Sequence, residues 1–456
     1  MKNKHINILF LLFIIIFTII VLKGLIIPQP GDENVYYYMG KLINEGKIPY
    51  KDFFYAHPPL HIYFLTLIYK VFGFNMIILK SIPLISTLIS AFLIFRIAKN
   101  KFGDEEAILS TLLFLFSYST IFNSVFSFGI EIATMFLLIG IYFLVNKKNY
   151  IISGIFFGLA GVTRLLSLVP IFIIFLVVLL SSKKNFLKLS SAFLIIFLLV
   201  NGIFALMLGS DYLTPVYKFH LLKTRDNKEN IKEYVDIIKL NWILFLSAAL
   251  VIFVKDKKQI NMFLFTSIIY LLFLFSLKKL FGFYFIMIFP LLALIGGYSI
   301  TNLFRQLNFS KKSKIFVLII FFLIFSWNLI SDTLFLEKVG FAGFDRGKDL
   351  VDFVNSASKG DLLFGDDSIT PLLALMTDKK IALNFVDTNN EVFITRIRNI
   401  NNVLSDLKGK DIIFIIRSKQ GISYFDEVKQ FLNKNCEFMS QFHDKIEGSY
   451  LVYRCG

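Results

Sequence analysis

The chain reads as a succession of long apolar runs separated by short polar breaks. Windows able to cross a bilayer fall at residues 6–27, 76–98, 107–126, 130–145, 150–162, 166–180, 186–208, 240–254, 260–277, 282–303 and 315–336. If each is one crossing there are about eleven, since some twenty apolar residues in a helix cover the hydrocarbon core. The breaks alternate in character. Residues 1–5, 96–101, 146–149, 181–188, 255–258 and 305–314 are short, mostly net basic, and share one side. The positive-inside rule makes that side the cytoplasm. The connections 28–75, 127–129, 163–165, 209–239 and 278–281 then face outward, and an odd number of crossings places everything after residue 337 outside as well.

The outer segments carry patterns of their own. In the first outer loop, 28–75, residues 34–45 predict an amphipathic helix bearing Tyr36, Tyr37 and Tyr38, and residues 61–72 an apolar helix; together they would lie along the bilayer surface. The 209–239 segment, with Lys223, Arg225, Asp226, Lys228, Glu229, Lys232 and Glu233, is charged enough to read as mobile or only locally helical. From Gly340 onward short apolar strands alternate with polar helices. Helices are predicted at 348–355, 370–377, 391–407 and 423–433, and strands at 361–365, 381–386, 411–417, 437–442 and 449–453. The fold class is therefore an α-helical polytopic membrane protein, with a transmembrane domain over 1–336 and an extracytoplasmic α/β domain over 337–456. The Gly365-Asp366-Asp367 turn is no nucleotide fingerprint, because no glycine-rich strand-to-helix motif accompanies it. No internal repeat is visible.

Composition agrees with this picture. Of 456 residues 56% are hydrophobic and 55 are phenylalanine, more apolar surface than a soluble fold of this size buries. The formal charge of +16 does not indicate nucleic acid, since the basic residues sit in short clusters between apolar runs. The first run ends at Ile27-Pro28-Gln29-Pro30 with no small-x-small cleavage pattern, so it reads as an uncleaved helix of a multi-pass plasma-membrane protein. Cys436 and Cys455 flank a turn at 443–448. A hairpin there would set them opposite each other for a disulfide, permitted on an oxidising side, and two unpaired thiols fit the spacing equally well.

Charged groups at the outer ends of apolar helices are costly and mark candidate chemistry. Asp32 and Glu33 follow the first span, where either one also suits an N-cap of the next helix. Glu131 opens the 130–145 span with no basic neighbour in sequence, Arg164 ends the 150–162 span, and Lys278 and Lys279 stand at another outer end, where the lysines equally suit interfacial snorkelling. Carboxylates beside cations at one rim suit sugar transfer from a lipid phosphate. One carboxylate takes the proton of the attacking hydroxyl while cations hold the departing phosphate. A divalent metal cation, held by Asp32 and Glu131, is the one cofactor such a set admits.

The Asp32-Glu33 pair, the Gly46-to-Asp52 segment and His57-Pro58-Pro59-Leu60 resemble the first outer loop of GT-C glycosyltransferases, in the branch of the dolichyl-phosphate-mannose protein mannosyltransferases and the bacterial aminoarabinose transferases. Glu131, Gly161-Val162-Thr163-Arg164, the 278–290 stretch and the outward α/β domain extend the likeness over most of the chain. The resemblance implies a catalytic Asp32 with Glu33 beside it and Glu131 as the second acidic position. It implies a lipid-phosphate site of His57, Arg164, Lys278, Lys279 and Tyr284. Ala56 stands where the aminoarabinose enzymes have a metal-binding glutamate, so a structural zinc of that type is not expected. The implied reaction moves a sugar from a polyprenyl-phosphate donor to a protein, lipid or glycan acceptor at the outer face of the bilayer. The competing classes are a flippase or transporter of lipid-linked sugars, which usually places its charges near the midplane, and a surface-polysaccharide polymerase or ligase.

Overall fold

The computed structural model describes residues 3–307, 311–341, 347–357, 362–418, 421–444 and 448–456. The chain divides into two compact units.

The first unit comprises Met1–Leu25, Lys80–Ile203 and Arg225–Lys338 and is mostly helical. Every apolar window holds a helix or a pair of helices. By length and composition, four helices among the described residues suffice to cross a membrane: His5–Ile26, Met76–Lys101, Lys183–Leu208 and Ile319–Gly340. Asn227–Leu240 and Trp242–Phe253, bent by 83°, add a fifth if counted as one broken span. Ile130–Val145 and Tyr150–Thr163 are shorter and form a tight pair, tied where Ser153 Oγ donates to the Gly140 carbonyl at 2.8 Å. Tyr150–Thr163 meets Lys183–Leu208 through glycines. A Cβ on Gly154 would overlap the Leu189 carbonyl oxygen, and one on Gly158 would sit 2.7 Å from Ile196 Cβ, so only small residues allow this approach. Large apolar side chains such as Leu180, Ile252, Leu272 and Trp327 turn outward, which only lipid tolerates on this scale.

The charged 209–239 segment is more ordered than its composition predicts. Asn227–Leu240 is a continuous helix whose N-cap, Asp226, accepts from the Lys228 and Glu229 amides at 3.0 Å. Asn230 then anchors it: Nδ2 donates to the Leu277 carbonyl at 2.9 Å and the Lys278 carbonyl at 3.0 Å, and Oδ1 accepts from the Leu280 amide at 2.9 Å. Those partners lie some fifty residues away, where local charge counting does not look.

The second unit comprises Ile26–Leu79, Phe204–Thr224 and Val339–Gly456. Its centre is a five-stranded sheet of β1 (Leu362–Gly365), β2 (Lys380–Ile381), β3 (Ile412–Arg417), β4 (Cys436–Asp444) and β5 (Gly448–Cys455), in the order β2-β1-β3-β5-β4. β1 runs parallel to β2 and β3, while β5 is antiparallel to β3 and β4. Phe364, Phe414, Leu404, Leu407, Val428 and Leu432 fill one core. The β4/β5 register sets Cys436 opposite Cys455, and the two form a disulfide. Residues 361 and 445–447 of the predicted first strand and last turn lie outside the described residues.

Two predicted elements differ. The strand expected at 381–386 stops at Ile381, because Leu383 (φ 59°) and Asn384 (φ 53°) turn left-handed. The helix expected at 391–407 splits into Asn390–Ile394 and Ile400–Leu407. Asn389 and Asn399 each accept the amide two residues on and so start separate helices, with Arg396 left-handed (φ 58°) between them. In the second case asparagine capping outweighs apolar periodicity.

The first outer loop belongs to the same compact unit as the sheet. Its helix Asp32–Asn44 packs on Leu60–Phe72 and on Thr370–Met376. The Tyr38 hydroxyl accepts from the Ile381 amide at 2.7 Å, Lys41 Nζ reaches Asp378 Oδ1 at 2.6 Å, and Gln29 Nε2 donates to the Gly340 carbonyl at 2.8 Å. Tyr37 and Tyr38 are each 1% exposed and are therefore core residues, whereas the sequence suggests interfacial ones.

Candidate active site

In the second unit β1 lies between β2 and β3, so the chain leaves the C-terminal end of β1 one way and that of β3 the other. Such a switch point opens a crevice beyond the strand ends where ligands bind in parallel sheets. Asp366 closes its floor. Its Oδ1 accepts from Ser368 N at 3.1 Å and Ser368 Oγ at 2.6 Å and pairs with Arg417 Nε at 3.1 Å. The next carboxylate, Asp367, is left for the crevice.

Two hydrogen bonds bring further carboxylates to the same place. The Gly31 amide donates to the Ser368 carbonyl at 2.9 Å, which docks the start of the Asp32 helix beside the turn. Thr388 Oγ1 donates to the Gly365 carbonyl at 2.8 Å, which does the same for Asp387. Asp32, Asp367 and Asp387 thus lie within electrostatic reach of one another. Burial, then Asp366, Asp32 and Asp387, push the Asp367 carboxyl well above its ordinary value. Burial, and then Asp32, push Asp387 up to about 6, against the Asn389 amide and the charge of Lys223. Apolar surroundings with like charges favour the protonated form.

Glu33 does not share this crevice. Successive helix residues diverge by about 100°, and Glu33 is fully buried with its carboxylate folded against Gly31. Neither acid is the N-cap. That position is Gly31, and both carboxylates occupy the first turn, where they favour the positive helix end. Tyr36, one turn after Asp32, is held where its hydroxyl meets His57 Nε2 at 3.2 Å. His57 stacks on His220 with ring centres 5.7 Å apart, and His220 Nε2 contacts the Ala56 carbonyl at 2.7 Å.

In the first unit Glu131 and Arg164 come together. They are 3% and 4% exposed and within electrostatic reach, and neither oxygen of Glu131 has a hydrogen-bond partner among the described residues. The Ile130–Val145 helix that carries Glu131 also packs on the 3-10 segment Gly282–Met287, which carries Tyr284. Lys278 is exposed, and Lys279 lies over the Phe281 ring at 5.9 Å. A buried carboxylate without hydrogen bonds beside a buried guanidinium is expensive unless a ligand completes it. Among the described residues no three His, Cys, Asp or Glu side chains are disposed to hold a metal ion.

Sequence reasoning passed over Asp367, Asp387 and Lys223. The available signal was an acidic turn directly after an apolar strand, and testing it only for a glycine-rich fingerprint set it aside. A stability consequence follows from the raised Asp387 carboxyl. Unfolded, it titrates near 3.8, and folded near 6, so its contribution is complete below pH 4 and is lost as pH rises through 6. Asp387→Asn is therefore expected to gain Tm over wild type at pH 8 and to lose that gain at pH 4, by thermal unfolding. A pH-independent difference would show that Asp387 ionises as an ordinary carboxyl.

A family model described as dolichyl-phosphate-mannose-protein mannosyltransferase matches residues 56–207. No curated protein matches the chain by sequence. Among solved structures, ArnT from Cupriavidus metallidurans bound to undecaprenyl phosphate superposes with a TM-score of 0.68 at 12% identity, covering 97% of each chain. The archaeal oligosaccharyltransferase AglB from Archaeoglobus fulgidus, in complex with an inhibitory peptide and a dolichol-phosphate, gives 0.59 at 11% identity over 97% of this chain and 74% of that one. The mycobacterial arabinofuranosyltransferase AftD gives 0.55 at 13% identity over 100% of this chain and 40% of that one.

Proposed function

From the premise that the chain has the fold of the GT-C membrane glycosyltransferases, we propose that it transfers a sugar from a polyprenyl-phosphate donor to an acceptor on the outer face of the membrane. The observation that carries this reading is the convergence of the exposed Asp32 on the buried Asp367 and the half-buried Asp387. It is built by contacts between the first outer loop and the turn after β1. An outward orientation is supported by the basic clusters on the opposite connections and by the Cys436–Cys455 disulfide, which an oxidising compartment sustains.

In this reading Asp32 takes the proton from the acceptor hydroxyl as its oxygen attacks the anomeric carbon. The bond from that carbon to the phosphate oxygen breaks, and its electrons leave with the polyprenyl phosphate. The transition state carries positive charge on the sugar, which the Asp32 carboxylate also stabilises. Asp367 and Asp387, which hold protons more firmly, position the acceptor hydroxyl by hydrogen bonds. Glu131 is the second acidic group. Arg164, with Lys278, Lys279, Tyr284 and His57, holds the lipid phosphate, and the developing charge on the phosphate is where a guanidinium contributes most.

Purified protein incubated with a panel of polyprenyl-phosphate sugars is expected to release free polyprenyl phosphate together with a new glycoside. Arg164→Gln should lower kcat/KM for the donor about tenfold or more, as loss of a charge-assisted contact does. Movement of labelled donor across proteoliposomes with no new glycosidic bond would replace transfer by flipping.

A further inference from the structure

The second unit has a cavity of about 660 Å³ apart from the Asp32 crevice. That is the size of pockets that hold small ligands. Its walls are Lys51–Phe54 of the first outer loop, Leu383–Phe385, and the Arg396–Asn399 break followed by Asn402 and Asp406. Three of its residues, Leu383, Asn384 and Arg396, are left-handed non-glycines with φ of 59°, 53° and 58°. Such positions carry backbone strain and persist where the surroundings hold them in place.

The lining has a definite chemistry. Lys51, Arg396 and Arg398 form no ion pair and no side-chain hydrogen bond among the described residues, although Asp52 and Asp406 line the same cavity. Asp52 is engaged elsewhere, its Oδ2 accepting the Ile48 amide at 2.7 Å. Asn384, Asn399 and Asn402 supply planar amides that donate and accept at once, as sugar hydroxyls require. Phe385, half-buried, offers an aromatic face of the kind on which the C–H side of a sugar ring packs. Lys51, Arg396 and Arg398 are exposed at the cavity and outnumber its carboxylates, Asp52 and Asp406, by one, a surplus of positive charge that favours an anion.

The cavity is also tied to the crevice through the backbone. Phe385 and Asp387 are two residues apart, so their Cα atoms lie within about 7 Å, and Phe54 reaches His57 in three residues, within about 11 Å. The cavity wall and the crevice are thus neighbouring stretches of the same two chain segments.

We propose that this cavity is the acceptor subsite and that its ligand is an anionic sugar, a glycan or glycolipid head bearing a phosphate or carboxylate. The assignment rests on the sugar-transfer reading, and binding tests it separately from turnover. Full-length protein in detergent micelles is titrated with glucose 1-phosphate, glucuronate and glucose, followed by ligand-observed NMR. The stronger of the two anions names the acid group, and either is expected to bind at least tenfold more tightly than glucose. Arg398→Gln and Arg396→Gly should each weaken anion binding about tenfold. Glycine accepts a φ of 58° without penalty, so Arg396→Gly should keep or raise Tm, which separates lost binding from misfolding. Anion binding that survives both substitutions, no preference over glucose, or loss only in Arg164→Gln, which would assign the anion to the donor site, overturns the subsite. Anion binding in a wild-type protein that releases no polyprenyl phosphate from any donor would sink the transfer reading and leave the cavity's ligand class standing.

Discussion

Asp32→Asn is expected to lower sugar transfer by about 10²- to 10⁴-fold, the range that a positioned general base contributes. The substitution keeps the shape of the side chain and removes both the proton acceptor and the charge that faces the sugar. It should not cost stability. Asp32 raises the carboxyls of Asp367 and Asp387 by its charge, so the neutral amide relieves repulsion that folding currently overcomes. The paired outcome is therefore a protein that is nearly inactive but melts at the wild-type temperature or above, read from initial rates of polyprenyl-phosphate release and from thermal unfolding at pH 7. Such a pairing is the mark of a group kept for chemistry at the expense of stability. Turnover within a few-fold of wild type would remove Asp32 as the base, and the rest of the crevice would need another.

The second large effect is structural. Gly365 ends β1 with φ 150°, and a Cβ there would overlap the carbonyl oxygen of Ile415 on the neighbouring strand. No side-chain rotation relieves a clash with backbone. Gly365→Ala must therefore separate β1 from β3 at the end where their parallel register pairs Gly365 with Ile415, and a cost of roughly 3 kcal/mol or more follows from overpacking combined with backbone strain. The same carbonyl of Gly365 holds Thr388, and Asp366 next to it holds Ser368, whose own carbonyl receives Gly31. Displacing Gly365 thus loosens all three carboxylates together. Limited proteolysis should cut the 362–418 region faster than in wild type, and transfer should fall with it. An alanine variant with unchanged Tm and unchanged protease resistance would mean that the strand end moves freely, contrary to the close approach of the two strands.

Much of the fold was legible as pattern. Long apolar runs needed only length and composition to be recognised as helices, of which four, or five with the bent pair, are long enough among the described residues to cross a membrane, and β1, β3 and the β4/β5 hairpin declared themselves through runs such as Ile412–Arg417. The errors came where capping side chains or left-handed residues interrupted periodicity. Asn389 and Asn399 each began a helix of their own, and the left-handed pair Leu383 and Asn384 turned the chain out of a strand. Candidate residues divided along the same line. Asp32, Glu131 and Arg164 stood out because a charge at the end of an apolar run is visible in one dimension. Asp367, Asp387 and Lys223 looked like ordinary loop residues, since their significance lies in which other residue they face.

That division has a simple physical origin. Partition into lipid depends on the summed hydrophobicity of a single segment, a quantity local to about twenty residues, so membrane class and the positions of costly charges were already present in the order of amino acids. The crevice depends on hydrogen bonds between residues more than three hundred positions apart, such as Gly31 to Ser368, and on burial that raises the carboxyls of Asp367 and Asp387. Desolvation and Coulomb interaction act through distance in space, and distance in space is set only once the chain has packed.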